Sequence, residues 1–190
     1  INRRFGEYTR PGDTALDFGC GTGTLTLRMA RRVGKIYGVD VSGGMLRRAQ
    51  QNGKERGPEN SVFRPITKPE EMFPPASFEV VTCFNVLQYI ENRNEYFGHF
   101  HRLLKPKGIL ILAVPCFGGA NPLSAFFVRF LRFCRIMPRT YFYGGREIED
   151  EMTGAGFTII ESVNLTGLPE KLIVAGKSYQ QPERRQGTIE

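Results

Sequence analysis

Short apolar runs that alternate with helical patterns constrain the fold of this chain most. The sequence predicts strands at 14–18, 35–39, 61–66, 78–84 and 109–114, and helices at 24–33, 42–53 and 92–104. Buried apolar strands that alternate with helices indicate a parallel sheet covered on both faces. A further helix at 146–152 precedes strands at 157–165 and 172–175, and the short connection between these strands permits only an antiparallel hairpin. We therefore predict an α/β three-layer sandwich with a seven-stranded, mostly parallel sheet that ends in an antiparallel hairpin.

Length and composition favour one ordinary globular domain over residues 1–179, with an insertion at 117–145 and a polar, disordered tail at 180–190. The sequence contains neither a signal-peptide pattern nor an apolar stretch of ~20 residues, and we expect a cytoplasmic protein. The four cysteines are widely spaced, which predicts buried thiols and no metal site. The net charge of +7 is spread over many helices without a basic block, so we expect no nucleic-acid partner.

A glycine-rich loop, 19–23, follows the first predicted strand. Glycines at 19, 21 and 23 allow a sharp turn and close approach to a ligand, and the next helix begins with free N–H groups. Asp40 ends the second strand, where a carboxylate can accept the hydroxyl protons of a ribose. The third glycine comes one position too early for the G-x-G-x-x-G dinucleotide pattern. The loop alone leaves three interpretations open: a dinucleotide site, a site for another adenosine cofactor, and a turn without a ligand.

The run Leu-Asp-Phe-Gly-Cys-Gly-Thr-Gly at 16–23 resembles motif I of the class I S-adenosylmethionine-dependent methyltransferases. Further segments resemble the later motifs of this family: 10–13, 37–46, 77–81, 85–90 and 103–108. The resemblance spans roughly 10–177 and is nearest to the small-molecule branch that includes ubiquinone and menaquinone methyltransferases. It implies a Rossmann-like fold and methyl transfer from S-adenosylmethionine to a small, aromatic or apolar acceptor. Two alternatives are an inactive methyltransferase-like binding module and an NAD-dependent oxidoreductase, and the early third glycine opposes the latter.

The resemblance implies a set of cofactor-binding residues. These are Asp17, Gly19, Cys20, Gly21, Gly23, Asp40, Val41, Met45, Ile66, Thr67, Phe84 and Asn85. The loop glycines and Asp17 would surround the methionine moiety, Asp40 the ribose, and Val41 with Met45 the adenine, while 84–85 would lie beside the sulfonium. Met45 as a core residue and Asn85 as a loop cap are the competing interpretations. The family usually has an Asp after the third strand for the adenine amino group, but here Ile66 and Thr67 occupy that place.

The sequence assigns no general base. His99 and His101 fit the surface or packing face of a helix, and Tyr8, Tyr89 and Tyr143 are candidates for an acceptor pocket.

The insertion contains a basic amphipathic segment at 124–137. Arg129, Arg132 and Arg135 recur every three residues among aromatic and aliphatic side chains. Three roles fit this pattern: a lid with its arginines in water, a lid whose aromatics line an acceptor pocket, and contact with a membrane surface.

Overall fold

The computed structural model describes residues 1–66, 72–116, 141, 143–165 and 170–178. Its strands are β1 Thr14–Phe18, β2 Lys35–Asp40, β3 Ser61–Pro65, β4 Phe78–Phe84, β5 Leu104–Pro115, β6 Phe157–Leu165 and β7 Glu170–Lys177. Its α-helices are α1 Asn2–Glu7, α2 Thr24–Ala30, α3 Gly43–Arg56, α4 Arg93–Leu103 and α5 Gly145–Gly154, with a 3₁₀ turn at Leu87–Tyr89.

The seven strands form one sheet in the order β3-β2-β1-β4-β5-β7-β6. Strands β1 to β5 pair in parallel, and β7 is antiparallel to both β5 and β6. The predicted fold class is confirmed. The strand order reverses between β1 and β4, and in open α/β sheets ligands bind outside the carboxyl ends of the strands at such a point.

Two apolar layers cover the two faces of the sheet because successive side chains of a strand point in opposite directions. Leu16, Val81 and Leu112 belong to the layer that contains Phe97 and Phe100 of α4. Their neighbours face the other way and pack in the layer of α1 and α2, which comprises Ala15, Val80, Ile111, Phe5 and Met29 among others. The sheet thus lies between two layers of helices. The loops that follow the carboxyl ends of its strands are anchored to this packed core.

Helix α1 is absent from the sequence prediction. Its six residues are mostly polar and show no apolar period, but Phe5 is fully buried against the α2 layer. Arg4 pairs with Glu161 of β6 at 2.7 Å. Tertiary contacts, not an amphipathic pattern, account for this helix.

Strand β5 begins five residues earlier than predicted. Leu104 pairs with Phe78 and Ile109 with Val80, so the residues between them bulge from the ladder. Lys107 has a φ of 64° within this bulge. Pro106 and Gly108 lie within the strand and interrupt its regular pairing.

Several predictions lie partly or wholly outside the described residues. These concern most of the 117–145 insertion, Thr67, Cys134 and the tail at 180–190. In the part of the chain that the structure describes, Cys20, Cys83 and Cys116 are free, and no group of His, Cys, Asp or Glu could hold a metal ion. None of the described helices is long and apolar enough to span a bilayer.

Candidate functional site

A cleft of about 850 Å³ opens beyond the carboxyl ends of β1, β2 and β4. It brings together many of the residues that the sequence nominated: Gly19, Gly21, Asp40, Val41, Met45, Ile66 and Asn85. Six lining residues were not nominated for cofactor binding: Phe18, Ser42, Val86, Tyr89, Ile90 and Tyr96.

The carboxylate of Asp40 connects the glycine loop to the start of α3. One oxygen, Oδ2, accepts a hydrogen bond from the backbone N–H of Gly21 at 2.9 Å. The other, Oδ1, accepts from the N–H of Ser42 at 2.8 Å, and Ser42 in turn caps α3 by accepting from the N–H of Met45. A carboxylate has about four lone-pair sites, so each oxygen can still accept a further proton. A vicinal diol in the cleft fits this acceptor pair.

The loop glycines have left-handed backbone conformations, with φ of 77° at Gly19, 54° at Gly21 and 76° at Gly23. A Cβ at Gly19 would lie 2.0 Å from a methyl group of Val86, so this position requires glycine for packing as well. Among the described residues, no atom beyond the two chain neighbours lies within 4 Å of a Cβ placed at Gly21, although Gly21 lines the cleft. The loop therefore leaves space for a ligand close to its backbone at Gly21.

Gly23 contributes to packing and does not line the cleft. A Cβ there would lie 2.8 Å from the ring of Phe63, and the same ring would lie 2.8 Å from a Cβ at Gly38. Phe63 of β3 thus occupies a slot formed by glycines of the loop and of β2. Both glycines are visible in the sequence, but the reason for them is not. The ring that requires them belongs to Phe63, forty residues after the loop.

Asp17 belongs to β1, two residues before the loop, and is 2% exposed. Its Oδ1 accepts from the Thr82 hydroxyl at 2.8 Å, and its Oδ2 accepts from the Thr26 hydroxyl at 2.5 Å. Burial raises the pKa of Asp17 from its ordinary 3.8 to about 6, while the two hydroxyl groups oppose this rise. The side chain joins β1, β4 and α2 and is not among the residues that line the cleft.

Two further nominated residues are also buried outside the cleft lining. Cys20 is 9% exposed, and burial raises the pKa of its thiol above the ordinary value. Phe84 packs in the α1–α2 layer because it follows Val80 and Thr82 on the same side of β4. The next residue, Asn85, follows the end of β4, has a φ of 57° and lines the cleft.

Part of the cleft lining is aromatic and apolar. Tyr89, which is 50% exposed, lines the cleft together with Ile90 and Tyr96. Val41 and Met45, 80% and 46% exposed, line the same cleft, so large hydrophobic side chains in contact with water are concentrated around it. Exposed apolar side chains gathered in one cleft indicate a binding site.

The other candidate side chains lie elsewhere. Tyr8 donates to Glu161 and Tyr143 donates to the carbonyl of Ile90, and neither tyrosine lines the cleft. His101 packs edge-on against Phe157, which agrees with the predicted packing role.

Comparison with known proteins gives a family match over most of the chain. A family model described as "Methyltransferase domain" matches residues 1–162. The demethylmenaquinone methyltransferase of Geobacillus stearothermophilus is 30% identical over 170 residues, which cover 79% of this chain and 73% of the relative. The ubiquinone biosynthesis O-methyltransferase of Pseudomonas paraeruginosa is 36% identical over 105 residues, which cover 54% of this chain and 44% of that enzyme.

Solved structures share the fold at low sequence identity. The YcgJ protein of Bacillus subtilis superposes with a TM-score of 0.78 at 19% identity, covering 94% of this chain and 97% of that one. A geranyl diphosphate methyltransferase in complex with GPP and sinefungin gives a TM-score of 0.76 at 17% identity, covering 93% and 77%.

We predict that Asp17→Asn reduces the loss of stability on raising the pH from about 4 to about 7. The folded state holds the Asp17 proton up to a pKa of about 6, against 3.8 in an ordinary environment, so the folded state binds more protons than the unfolded state in this window. Stability conferred by the protonated form is therefore lost as the pH rises, by up to about 3 kcal/mol. Urea denaturation across this range measures the free energy of unfolding.

The control is Asp13→Asn, since Asp13 is partly exposed, lies at the amino end of β1 and accepts from the N–H of Arg10. Parallel pH profiles for wild type and Asp17→Asn would show that the buried carboxyl is not protonated in the folded state.

Proposed function

Because this chain belongs to the methyltransferase-domain family and is an S-adenosylmethionine-dependent enzyme that methylates a small molecule, we propose that its acceptor is an aromatic ring of the hydroquinone class. The observation that carries this proposal is the exposed aromatic and aliphatic end of the cleft, where Tyr89 is half exposed beside Ile90 and Tyr96.

The cofactor would occupy the end of the cleft around Asp40. We propose that the two carboxylate oxygens, already fixed by the N–H groups of Gly21 and Ser42, accept the ribose hydroxyls. Val41 and Met45 would flank the adenine with side chains that are otherwise exposed to water. The open space beside Gly21 supports a place for the methionine moiety against the loop backbone.

The acceptor would lie at the end formed by Tyr89, Ile90, Tyr96 and Val86. Covering these side chains with a flat apolar ring removes their surface from water, at roughly 25 cal/mol per Å². Aromatic rings add favourable edge or offset contacts with tyrosine. The relatives that act in demethylmenaquinone and ubiquinone synthesis support a ring acceptor of this kind.

When bound, S-adenosylmethionine supplies a methyl group that is already activated on a sulfonium. The task of the chain is to hold the acceptor in line with that methyl group and to exclude water from the cleft. Asn85, Tyr89 and Tyr96, which all line the cleft, would hold the ring in this position. Neither His99 nor His101 lines the described cleft, so we propose neither histidine as a proton acceptor.

We further propose that the basic segment at 124–137 contacts a membrane surface from which an apolar acceptor is drawn. Arg129, Arg132 and Arg135 alternate with apolar residues, a pattern that suits anionic headgroups on one face and acyl chains on the other. Four residues after this segment, the N–H of Tyr141 donates to the carbonyl of Gln88 at 2.8 Å, next to Tyr89 of the proposed acceptor site.

Methylation of a hydroquinone tests the proposed function. Incubation with S-adenosylmethionine and a short-chain demethylmenaquinol should give a methylated product and S-adenosylhomocysteine by mass spectrometry. Tyr89→Ala should raise the KM for the hydroquinone by about tenfold, because the ring loses its aromatic contact. The affinity for S-adenosylhomocysteine should stay unchanged, since Tyr89 would contact the acceptor and not the cofactor.

Tyr8→Ala is the matched control, because Tyr8 contacts Glu161 outside the cleft and its loss should leave the KM unchanged. Absence of hydroquinone methylation by a protein that binds S-adenosylhomocysteine would contradict the proposed acceptor class.

Sedimentation with vesicles tests the proposed membrane contact. Replacing Arg129, Arg132 and Arg135 together by Gln should weaken binding to phosphatidylserine-containing vesicles by about 100-fold, at about 1 kcal/mol for each arginine near the surface. A control with the same change of charge replaces Arg31, Arg47 and Arg48, which are exposed on α3 and after α2. An equal loss in both triple variants would show an effect of net charge alone and would contradict docking by this segment.

A further inference from the structure

We propose that Arg93 is a positioning residue for the acceptor end of the cleft, and that it acts through Tyr143 on the backbone around Tyr89. The inference rests on the proposed function, because it treats the Tyr89 end as the place where the acceptor binds. Arg93 itself does not line the cleft.

Arg93 is a buried cation that joins two helices. It begins α4 and is 7% exposed. Its Nη2 donates to Glu151 at 2.5 Å and to Glu147 at 2.8 Å, and its Nε donates to the second oxygen of Glu151 at 3.0 Å. Both glutamates belong to α5. The guanidinium is therefore held in one plane by two carboxylates.

This plane lies against an aromatic ring. The guanidinium carbon of Arg93 is 3.2 Å from the centroid of the Tyr143 ring, and Tyr143 is 7% exposed. A guanidinium can stack on a ring in a way that an ammonium cannot reproduce. The ring of Tyr143 is also parallel to that of Tyr141, with centroids 6.3 Å apart and 11° between the planes.

Both tyrosines bind the backbone at 88–90, which forms the rim of the cleft around Tyr89. The hydroxyl of Tyr143 donates to the carbonyl of Ile90 at 3.1 Å. The N–H of Tyr141 donates to the carbonyl of Gln88 at 2.8 Å. These two carbonyls lie on either side of Tyr89, the half-exposed ring at the acceptor end. The position of Tyr89 is thus fixed from both sides by a unit that Arg93 holds in place.

If Arg93 only joined α4 to α5, a charged side chain would not be needed. Burying ions costs solvation free energy, and well-packed apolar side chains often join elements at least as stably. An apolar side chain would not orient a ring through planar stacking and paired hydrogen bonds. The cluster of Arg93, Glu147, Glu151 and Tyr143 therefore joins the two helices and also fixes the orientation of the Tyr143 ring at the rim.

Two substitutions separate positioning from general stability. Arg93→Lys keeps the positive charge but loses the stacked plane and the paired hydrogen bonds. Tyr143→Phe keeps the ring and removes only the hydroxyl that binds Ile90. Lys171→Met is the control, because it breaks an ion pair between Lys171 of β7 and Glu149 of the same helix α5 without touching the rim.

Each variant is measured in three ways: the KM and kcat for the hydroquinone, the Kd for S-adenosylhomocysteine, and the amide hydrogen exchange of 86–91. We expect the KM to rise about tenfold in Arg93→Lys and about fivefold in Tyr143→Phe, the latter being typical for one lost hydrogen bond. The Kd should stay unchanged, and exchange should accelerate at 86–91. Lys171→Met should change none of these quantities, even if it lowers the Tm.

Two outcomes would overturn the proposal. One is an unchanged KM in both Arg93→Lys and Tyr143→Phe. The other is a rise in KM matched by an equal rise in Kd, which would indicate general loss of structure. If the wild type does not methylate the hydroquinone, the proposed function fails, and the exchange data alone decide the role of Arg93. Acceleration confined to 86–91 would then support positioning, and unchanged exchange there would refute it.

Discussion

The two hydrogen bonds to the carboxylate of Asp40 determine the arrangement of the ligand end of this fold. They come from Gly21 in the loop after β1 and from Ser42 at the start of α3, so one side chain fixes two elements relative to each other. Hydrogen bonds to a charged group contribute about 1.5–3 kcal/mol each. The two carboxylate oxygens of Asp40 are therefore in place before a ligand binds, and binding does not have to order them.

A second carboxylate lies in the strand that leads into the loop. Asp17 is buried between Thr26 and Thr82, and its negative neighbour Asp40 adds to the rise of its pKa that burial causes. The two acids thus differ in role: Asp40 lines the cleft, and Asp17 connects β1 to α2 and β4. The cleft thus has a polar side at Asp40, where we propose that the cofactor binds, and apolar side chains around Tyr89, whose neighbour Ile90 accepts from the Tyr143 hydroxyl.

The sequence predicted features that depend on neighbours along the chain, and it missed those that depend on distant side chains. The bounds of β1, β4 and β6 were predicted correctly because uninterrupted or alternating apolar runs define them. The burial of Asp17 and the requirement of Gly23 for the ring of Phe63 arise only after the strands assemble. The pairing of Arg93 with Glu151, 58 positions away, follows no period that a single sequence displays.

Calorimetric titration with S-adenosylhomocysteine tests the central claim, that Asp40 organises the cofactor end, most directly. In Asp40→Asn one oxygen acceptor becomes an amide donor that faces a backbone N–H, and we expect the Kd to rise by at least about tenfold. Asp13→Asn, which changes the same charge at the opposite edge of the sheet, should bind as the wild type does. Equal affinity of wild type and Asp40→Asn would contradict this account of the site.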